Sequence, residues 1–232
     1  MIPTSRRGFS LTELLVTLSI IVILTVMLIP TVRNSLEATR QTKCASQMRQ
    51  IGMGLFNYAA ENGGRLPPTS AVYPTADEKD AWGHAIWTYV GYAEASFNYP
   101  RNDLGVRAGA KQDNIFRCPS TWIKPIANPS VGNVNSNLFS YGLNFSPLVA
   151  LGITGEGKWT VGIPLASISR PAVTAMVTED SFSRGDWWGY TLYFGLIPHQ
   201  GGANVLFFDG HVQWFRPRDL PERESDPFWG GI

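Results

Sequence analysis

Residues 6–13 of the chain read Arg-Arg-Gly-Phe-Ser-Leu-Thr-Glu, and an uncharged apolar run follows from Leu14 to Ile29. Glu13 lies at the edge of this run. A charge in lipid costs roughly 2.5–3.5 kcal/mol at the centre of a helix and less near its boundary. No cation lies within a helical turn of Glu13 inside the apolar segment. The sequence therefore predicts that the partner of Glu13 comes from another molecule.

The apolar segment is long enough to cross a membrane. From Phe9 to Ile29 it has about 21 residues, and roughly 20 are needed. A cleaved signal peptide would need a small-x-small site after Ile29, where residues 30–33 read Pro-Thr-Val-Arg. A plain anchor would not need Glu13. Because Arg6 and Arg7 precede the span, the N-terminus is predicted to stay cytoplasmic, with a single pass through the inner membrane and an exported C-terminal head.

The segment Gly8–Val16 resembles the processing site of type IV pilins and type II secretion pseudopilins. The resemblance implies cleavage between Gly8 and Phe9 by a prepilin peptidase, followed by N-methylation of Phe9. It also implies that Glu13 pairs with the terminal amine of a neighbouring subunit during assembly. Pro30 matches a proline that kinks the helix in many pilins, and a proline inside a helix removes one hydrogen bond.

Composition restricts the remaining part of the chain. The 232 residues carry a net charge of +1, and 16% are charged, so no broad basic surface for nucleic acid is predicted. Glycine (23), proline (16) and aromatic residues (12%) favour a loop-rich domain with a β component. We expect an α+β fold in which a long N-terminal helix, transmembrane in its first half, packs on a small antiparallel sheet with long loops.

The helical pattern continues beyond the apolar run. Apolar residues recur at steps of three and four, which draws one stripe along a helix; they are Cys44, Met48, Ile51, Leu55 and Tyr58. Residues 61–64, Glu-Asn-Gly-Gly, predict the helix end. A helix from Ser10 to Glu61 would be roughly 75–80 Å long. The predicted segments are a leader (1–8), an assembly helix (9–30), its amphipathic continuation (31–64) and a globular head (65–232).

Several shorter elements are predicted in the head. Residues 81–90 suggest a short helix, residues 115–120 a short strand ended by proline, and residues 172–180 a buried strand. Residues 203–215 predict a hairpin with Asp209-Gly210 as a two-residue type I′ turn, in which Phe208 faces His211. The glycosylation-like spelling at Asn144 is interpreted as chance.

The C-terminal region holds the candidate chemical groups. His199, nine intervening residues and Asp209-Gly210 resemble the His-x9-Asp-Gly signature of prepilin-processing-associated proteins. His199, Asp209 and His211 are types of residue that bind zinc, although the turn already explains Asp209 and loop backbone can satisfy His199. No resident cofactor is therefore predicted.

Two further groups leave alternatives open. Glu179, Asp180 and Asp186 offer oxygen ligands for calcium, but their spacing matches no recognised calcium loop. Cys44 and Cys118 both follow the span. An oxidising compartment allows them to form a disulfide, and two buried free thiols are the alternative.

The function implied by the resemblance is structural. We expect a subunit of a type IV pilus or a type II secretion-like filament, periplasmic or at the cell surface after assembly, and not an enzyme. Its partners would be the prepilin peptidase/N-methyltransferase, the inner membrane, and other copies or pilin-like subunits. The alternative is a pilin-anchored module that binds polysaccharide through an aromatic-rich head; core packing is the simpler interpretation of the tryptophans, among them Trp187 and Trp188.

Overall fold

The computed structural model describes residues 10–68, 82–94, 114–120, 140–155, 160–179, 184–185 and 198–231. These residues have the predicted α+β fold, with a long N-terminal helix and a small sheet. The chain divides into two compact units, Met1–Thr39 and Arg40–Ile232. Helix α1 (Leu11–Glu61) contributes residues to both units.

Helix α1 has 51 residues and continues through Pro30. Its bounds agree with the predicted helix to within one residue. Gly63 and Gly64 follow it with φ angles of 64° and 73°, which is the left-handed conformation that glycine adopts without strain. The amide of Gly64 donates a hydrogen bond to the carbonyl of Ala59 over 2.8 Å. The predicted stop signal therefore ends the helix through a glycine cap.

The predicted apolar stripe is the face of α1 that packs inside the second unit. Cys44, Met48, Ile51 and Leu55 are fully buried in one hydrophobic core, and Tyr58 packs against it. Gly52 lies so close to the sheet that a Cβ there would be 3.0 Å from Cδ2 of Leu206. This half of α1 therefore lies directly against the sheet.

Within the described residues, the sheet has five strands in the spatial order β3-β1-β2-β4-β5. They are β1 (Tyr141–Asn144), β2 (Ala175–Glu179), β3 (Arg184–Gly185), β4 (Ala203–Phe207) and β5 (Val212–Phe215). Strands β1, β2, β4 and β5 pair antiparallel, as predicted, whereas the two-residue β3 pairs parallel with β1. The short α-helices among the described residues are α2 (Trp82–Ala85), α3 (Ser146–Ala150) and α4 (Pro227–Gly230).

Both faces of the sheet are covered. Leu206 and Met176 belong to the core that contains α1. Val205 and Phe207 belong to a second core with Trp229 of α4. Because β2 and β4 are buried on both faces, every one of their residues is buried. Each strand contains three consecutive apolar residues, 175–177 in β2 and 205–207 in β4, instead of a strict alternation.

The predicted hairpin forms, but its register was wrong by one residue. Leu206 pairs with Val212, and the amide of Phe207 donates to the carbonyl of His211 over 2.9 Å. The loop therefore has three residues, and only Gly210 among them has a positive φ, at 92°. This is the loop in which a type I turn precedes a left-handed glycine, rather than a type I′ turn. Asp-Gly suits both loops, so the dipeptide alone could not fix the register.

Other local predictions had mixed outcomes. Residues 115–120 form turns rather than the predicted strand, because Oδ1 of Asn114 accepts a hydrogen bond from the amide of Phe116 over 2.9 Å. The strand predicted at 172–180 is present as β2, and the helix predicted at 81–90 is limited to α2 with turns after it. Asn144 is fully buried, which agrees with interpreting its glycosylation-like spelling as chance.

Candidate functional site

The first candidate site is the N-terminal turn of α1, where Glu13 has local partners. Oε2 of Glu13 accepts hydrogen bonds from the amide and the hydroxyl of Ser10, both over 2.9 Å. In return, Oγ of Ser10 accepts from the amide of Glu13 over 3.2 Å. This reciprocal pair is a capping box, a motif that satisfies free amides at a helix start. Neither donor is a cation, so the pairing of the Glu13 charge with a group from another molecule stays a prediction.

Every hydroxyl in the apolar stretch from Leu14 to Ile29 donates a hydrogen bond to the helix backbone. Thr17 donates to the carbonyl of Leu14 over 2.9 Å, Ser19 to that of Leu15 over 2.8 Å, and Thr25 to that of Ile21 over 2.7 Å. Large apolar side chains from Leu11 to Val32 are exposed. Within the described residues, α1 is the one helix that is long and apolar enough to cross a membrane. Such a surface suits lipid or another apolar helix, because no side-chain polar group is left unsatisfied there.

Pro30 lies inside α1, in the unit Met1–Thr39. The helix has no break at this position, although proline supplies no amide for a helical hydrogen bond. The kink implied by the resemblance stays a prediction.

The second candidate site is a buried cluster inside the unit Arg40–Ile232. Cys44, Cys118, Glu179 and His199 are each fully buried, and one ligand atom from each lies within 4.8 Å of the others. Cys44 comes from α1, Cys118 from the turns at 114–120, and Glu179 from the end of β2. The two cysteines form a disulfide across a sequence separation of 74, with Cα atoms 5.3 Å apart.

His199 contacts both the disulfide and the carboxylate. Its Nε2 lies 3.2 Å from Sγ of Cys118 and 3.0 Å from Oε1 of Glu179. The sequence interpretation of His199 as a histidine satisfied by loop backbone was therefore incomplete, because its ring faces the core. Residues from four separate parts of the chain thus converge on one point.

Two backbone features hold His199 in place. The amide and carbonyl of His199 exchange hydrogen bonds with those of Gly202, over 3.1 and 2.9 Å. The indole Nε1 of Trp214 donates to the carbonyl of His199 over 3.1 Å. Gly202 is required there, because a Cβ would overlap the ring of Trp214 and the carbonyl oxygen of Phe215. The turn and β5 therefore fix the position of the His199 backbone, from which the imidazole extends.

The carboxylate of Glu179 is oriented by Asn204. The backbone amide of Asn204 donates to Oε2 over 2.7 Å, and its side-chain amide donates to Oε1 over 3.0 Å. The cluster also affects Tyr141: burial, and then the charge of Glu179, raise the pKa of Tyr141 well above its usual range. Tyr141 keeps its proton, and its hydroxyl donates a hydrogen bond to Oε1 of Gln47 over 2.9 Å.

Asp209, Gly210 and His211 lie away from this cluster. They follow β4, whereas His199 precedes it, and the five residues of β4 separate the two ends by about 13 Å. Oδ1 of Asp209 accepts from the amide of His211 over 3.1 Å and lies 2.6 Å from Nδ1 of its imidazole. Burial raises the pKa of Asp209, but these contacts with His211 outweigh it and leave the pKa lowered. The structure does not bring His199, Asp209 and His211 together as ligands.

The other predicted groups have simpler environments. Oε1 of Glu94 lies 2.7 Å from Nε2 of His84. Trp82, Trp87 and Trp229 are buried in the cores, so core packing accounts for these tryptophans. Asp180, Asp186, Trp122, Trp159, Trp187 and Trp188 lie outside the described residues.

Sequence reasoning missed the pairing of Glu179 with His199. Both residues were candidates for different metal sites, and nothing in their spacing indicated a common one. A usable signal was present in the strands themselves: apart from Thr178, Glu179 and Asn204 are the polar residues in strands β2 and β4. A buried carboxylate requires hydrogen-bond donors, and Asn204 and His199 are close to each other in the chain.

Two comparisons with known families place the protein. Residues 3–29 match the family model of the prokaryotic N-terminal methylation motif. With the apolar helix, this motif indicates a pilin-like subunit that is processed at its N-terminus, anchored in a membrane and exported, which is a structural class rather than an enzymatic one.

A second match covers the middle of the chain. Residues 34–164 match the model described as "Protein of unknown function (DUF1559)". Because this match covers more than half of the chain, the protein belongs to that family. Cys44 and Cys118 lie inside the matched range, and Glu179 and His199 lie beyond it. No curated protein and no solved structure matches the chain.

Proposed function

We propose that this protein is a subunit of a type IV pilus or a type II secretion-like filament. A prepilin peptidase removes residues 1–8, and the new terminal Phe9 is N-methylated. The span then carries the subunit into a filament in which Glu13 pairs with the terminal amine of a neighbouring copy or of another pilin-like subunit. The observation that carries the proposal is Glu13 at the start of an exposed and otherwise uncharged stretch of α1, from Leu11 to Val32, within a chain that matches a methylation motif at its N-terminus.

The energetics of burial indicate different roles for the apolar side chains and for Glu13. Exposed apolar side chains from Leu11 to Val32 gain about 25 cal/mol for each Å² of area that is removed from water. Packing between helices supplies stability once the subunit leaves the membrane. A buried carboxylate contributes little net stability even when it is paired. We therefore assign to Glu13 the axial register between subunits rather than the strength of the filament.

The capping box gives a competing local role, which two variants separate. Glu13→Gln keeps a side chain that can cap the helix but removes the charge. Ser10→Ala removes the cap partner but keeps the charge. If Glu13 pairs with an amine, Glu13→Gln blocks incorporation into filaments while Ser10→Ala is incorporated. Ser19→Ala, in the same helix, serves as the control.

Incorporation is measured by quantifying the protein in sheared filaments, against its level in the membrane fraction, in cells with working maturation machinery. Wild-type incorporation of Glu13→Gln together with loss for Ser10→Ala would assign Glu13 to capping alone. Mass spectrometry of the wild-type protein should give a mature N-terminus at N-methylated Phe9. An intact, unprocessed start at Met1 would contradict the proposal.

The membrane topology is part of the same proposal. Arg6 and Arg7 stand before the span, which favours a cytoplasmic N-terminus and an exported head after a single pass. Alkaline phosphatase fused after Ile232 should be active, because it folds only after export. An inactive but stable fusion would reverse the orientation.

A further inference from the structure

We propose that the dithiol form of this protein binds one zinc ion through Cys44, Cys118, Glu179 and His199. The proposal is independent of filament assembly, since the cluster lies inside the unit Arg40–Ile232. The four ligands are the two cysteines that now form the disulfide and the two buried ionisable residues beside it, Glu179 and His199.

The first support is the donor set. Thiolate, imidazole and carboxylate are the three side-chain groups that bind zinc, and structural sites almost always have four ligands. All four residues are fully buried, as expected for a closed structural site. They also come from distant parts of the chain, so a metal ion would join α1 to β2 and to the turn before β4.

The second support is geometry. Zinc–ligand bonds of about 2.0–2.3 Å place neighbouring ligand atoms of a tetrahedron roughly 3.3–3.8 Å apart. Nε2 of His199 lies 3.2 Å from Sγ of Cys118 and 3.0 Å from Oε1 of Glu179. All four ligand atoms lie within 4.8 Å of one another. Small movements would therefore admit an ion once the sulfur atoms separate.

The third support is the set of groups around the ligands. Metal-binding side chains are usually held by outer hydrogen bonds, whose loss typically costs 10–100-fold in affinity. Asn204 donates to both oxygens of Glu179, over 2.7 and 3.0 Å. The carbonyl of His199 accepts from Nε1 of Trp214 over 3.1 Å. The carboxylate of Glu179 and the backbone of His199 are thus already held in place before any ion binds.

The disulfide and the ion exclude each other, because zinc requires thiolates. A dithiol reductant transfers two electrons and two protons to the disulfide, which yields the Cys44 and Cys118 thiols and leaves the reductant as its own disulfide. Zinc binding then releases two thiol protons to solvent. In either state Cys44 of α1 stays tied to Cys118, first by a covalent bond and then through the metal.

The test uses the full-length protein purified in detergent. It is reduced with dithiothreitol, freed of reductant without oxygen, and titrated with Co²⁺ as an optical probe and with Zn²⁺. We expect one Co²⁺ per chain, tetrahedral d–d absorption with thiolate charge transfer, and displacement by Zn²⁺. The oxidised protein should give no such spectrum.

Variants connect the spectrum to the four ligands. His199→Gln and Glu179→Gln should weaken Co²⁺ binding at least 10-fold in the reduced protein, and Cys118→Ser should also weaken thiolate charge transfer. His211→Gln is the matched control, because it removes a half-exposed histidine that lies away from the cluster, and this variant should bind Co²⁺ as the wild type does. Circular dichroism of each oxidised variant with an intact disulfide establishes that it is folded.

Two outcomes would overturn the proposal. One is a reduced wild-type protein that gives no tetrahedral Co²⁺ spectrum, including when it unfolds on reduction and Zn²⁺ fails to restore its circular dichroism. The other is a spectrum that His199→Gln and His211→Gln affect equally, which would place the metal elsewhere.

Discussion

The side-chain amide of Asn144 donates a hydrogen bond to the carbonyl of Trp229 over 2.9 Å, joining the end of β1 to α4. The same amide donates to the carbonyl of Ala175 over 2.7 Å, and its oxygen accepts from the amide of Ser146 over 3.0 Å. Asn144 is fully buried. One side chain therefore connects β1, β2, α3 and α4.

Asn144→Ala should destabilise the unit Arg40–Ile232 strongly. It removes three buried hydrogen bonds, and a group left unsatisfied in the interior costs about 1–3 kcal/mol. We expect a loss of about 3 kcal/mol, or roughly 6–12 °C in the thermal midpoint. Asn62→Ala is the control, because Asn62 donates to the carbonyl of Tyr58 at the exposed end of α1. Equal midpoints for the two variants would show that the buried bonds add nothing.

The contact between Tyr141 and Gln47 gives a second prediction. Tyr141→Phe leaves Oε1 of the buried Gln47 without the donor that now lies 2.9 Å away, so we expect a loss of about 1–2 kcal/mol in the free energy of unfolding. Tyr89→Phe is matched to it, since Tyr89 donates to Glu61 at the surface and its loss should cost less than about 0.5 kcal/mol. Chemical denaturation of the two variants provides the comparison, and the reverse order would contradict it.

Gly202→Ala tests the turn that presents His199. The new Cβ would overlap the carbonyl oxygen of Phe215, which is backbone and cannot rotate away. We expect a loss of about 2–3 kcal/mol, as in other overpacked sites. Gly201→Ala meets no neighbouring atom but has a φ of 84°, so it should cost about 1–2 kcal/mol through backbone strain alone. Gly202→Ala should therefore have a lower thermal midpoint than Gly201→Ala. A smaller loss at Gly202 would mean that the backbone of β5 shifts to accommodate the new Cβ.

The lowered pKa of Asp209 predicts an acid-dependent loss of stability. A carboxyl whose pKa is lower in the folded protein stabilises it above the unfolded value of about 3.9, and this contribution disappears as the pH falls through the folded pKa. Because the side chain is 36% exposed, solvent screening keeps the effect below about 1 kcal/mol. Asp209→Asn should lose less stability than the wild type between pH 5 and pH 2.

A graded variant checks the cause of that effect. His211→Gln removes the imidazole but keeps the backbone amide that donates to Asp209 over 3.1 Å. The stability that His211→Gln loses on acidification should be smaller than the loss in the wild type and larger than the loss in Asp209→Asn. Three identical pH profiles would rule out the contact with His211 as the cause.

Local sequence patterns were sufficient to predict the long helix and the presence of the hairpin, because each depends on contacts a few residues apart. The stripe from Cys44 to Tyr58 and the glycines at 63–64 determined both the packed face and the end of α1. Strand β1 was missed. Its four residues, Tyr-Gly-Leu-Asn, contain a glycine and an asparagine, so pairing with β2 rather than β propensity makes it a strand.

The buried cluster could not be predicted for a related reason. Glu179 and His199 are 20 residues apart, and Cys118 is 81 residues from His199. Their convergence depends on the order of β1, β2 and β4 in the sheet, which residue spacing does not encode. The hairpin register depended on whether the loop had two or three residues, a choice that the Asp-Gly dipeptide leaves open.

The bond between Cys44 and Cys118 encloses the end of α1 together with α2. A single proteolytic cut anywhere between these two cysteines would leave one covalent molecule, which would separate into two fragments on a gel only after reduction. A filament built from such subunits would therefore keep its heads attached after nicking.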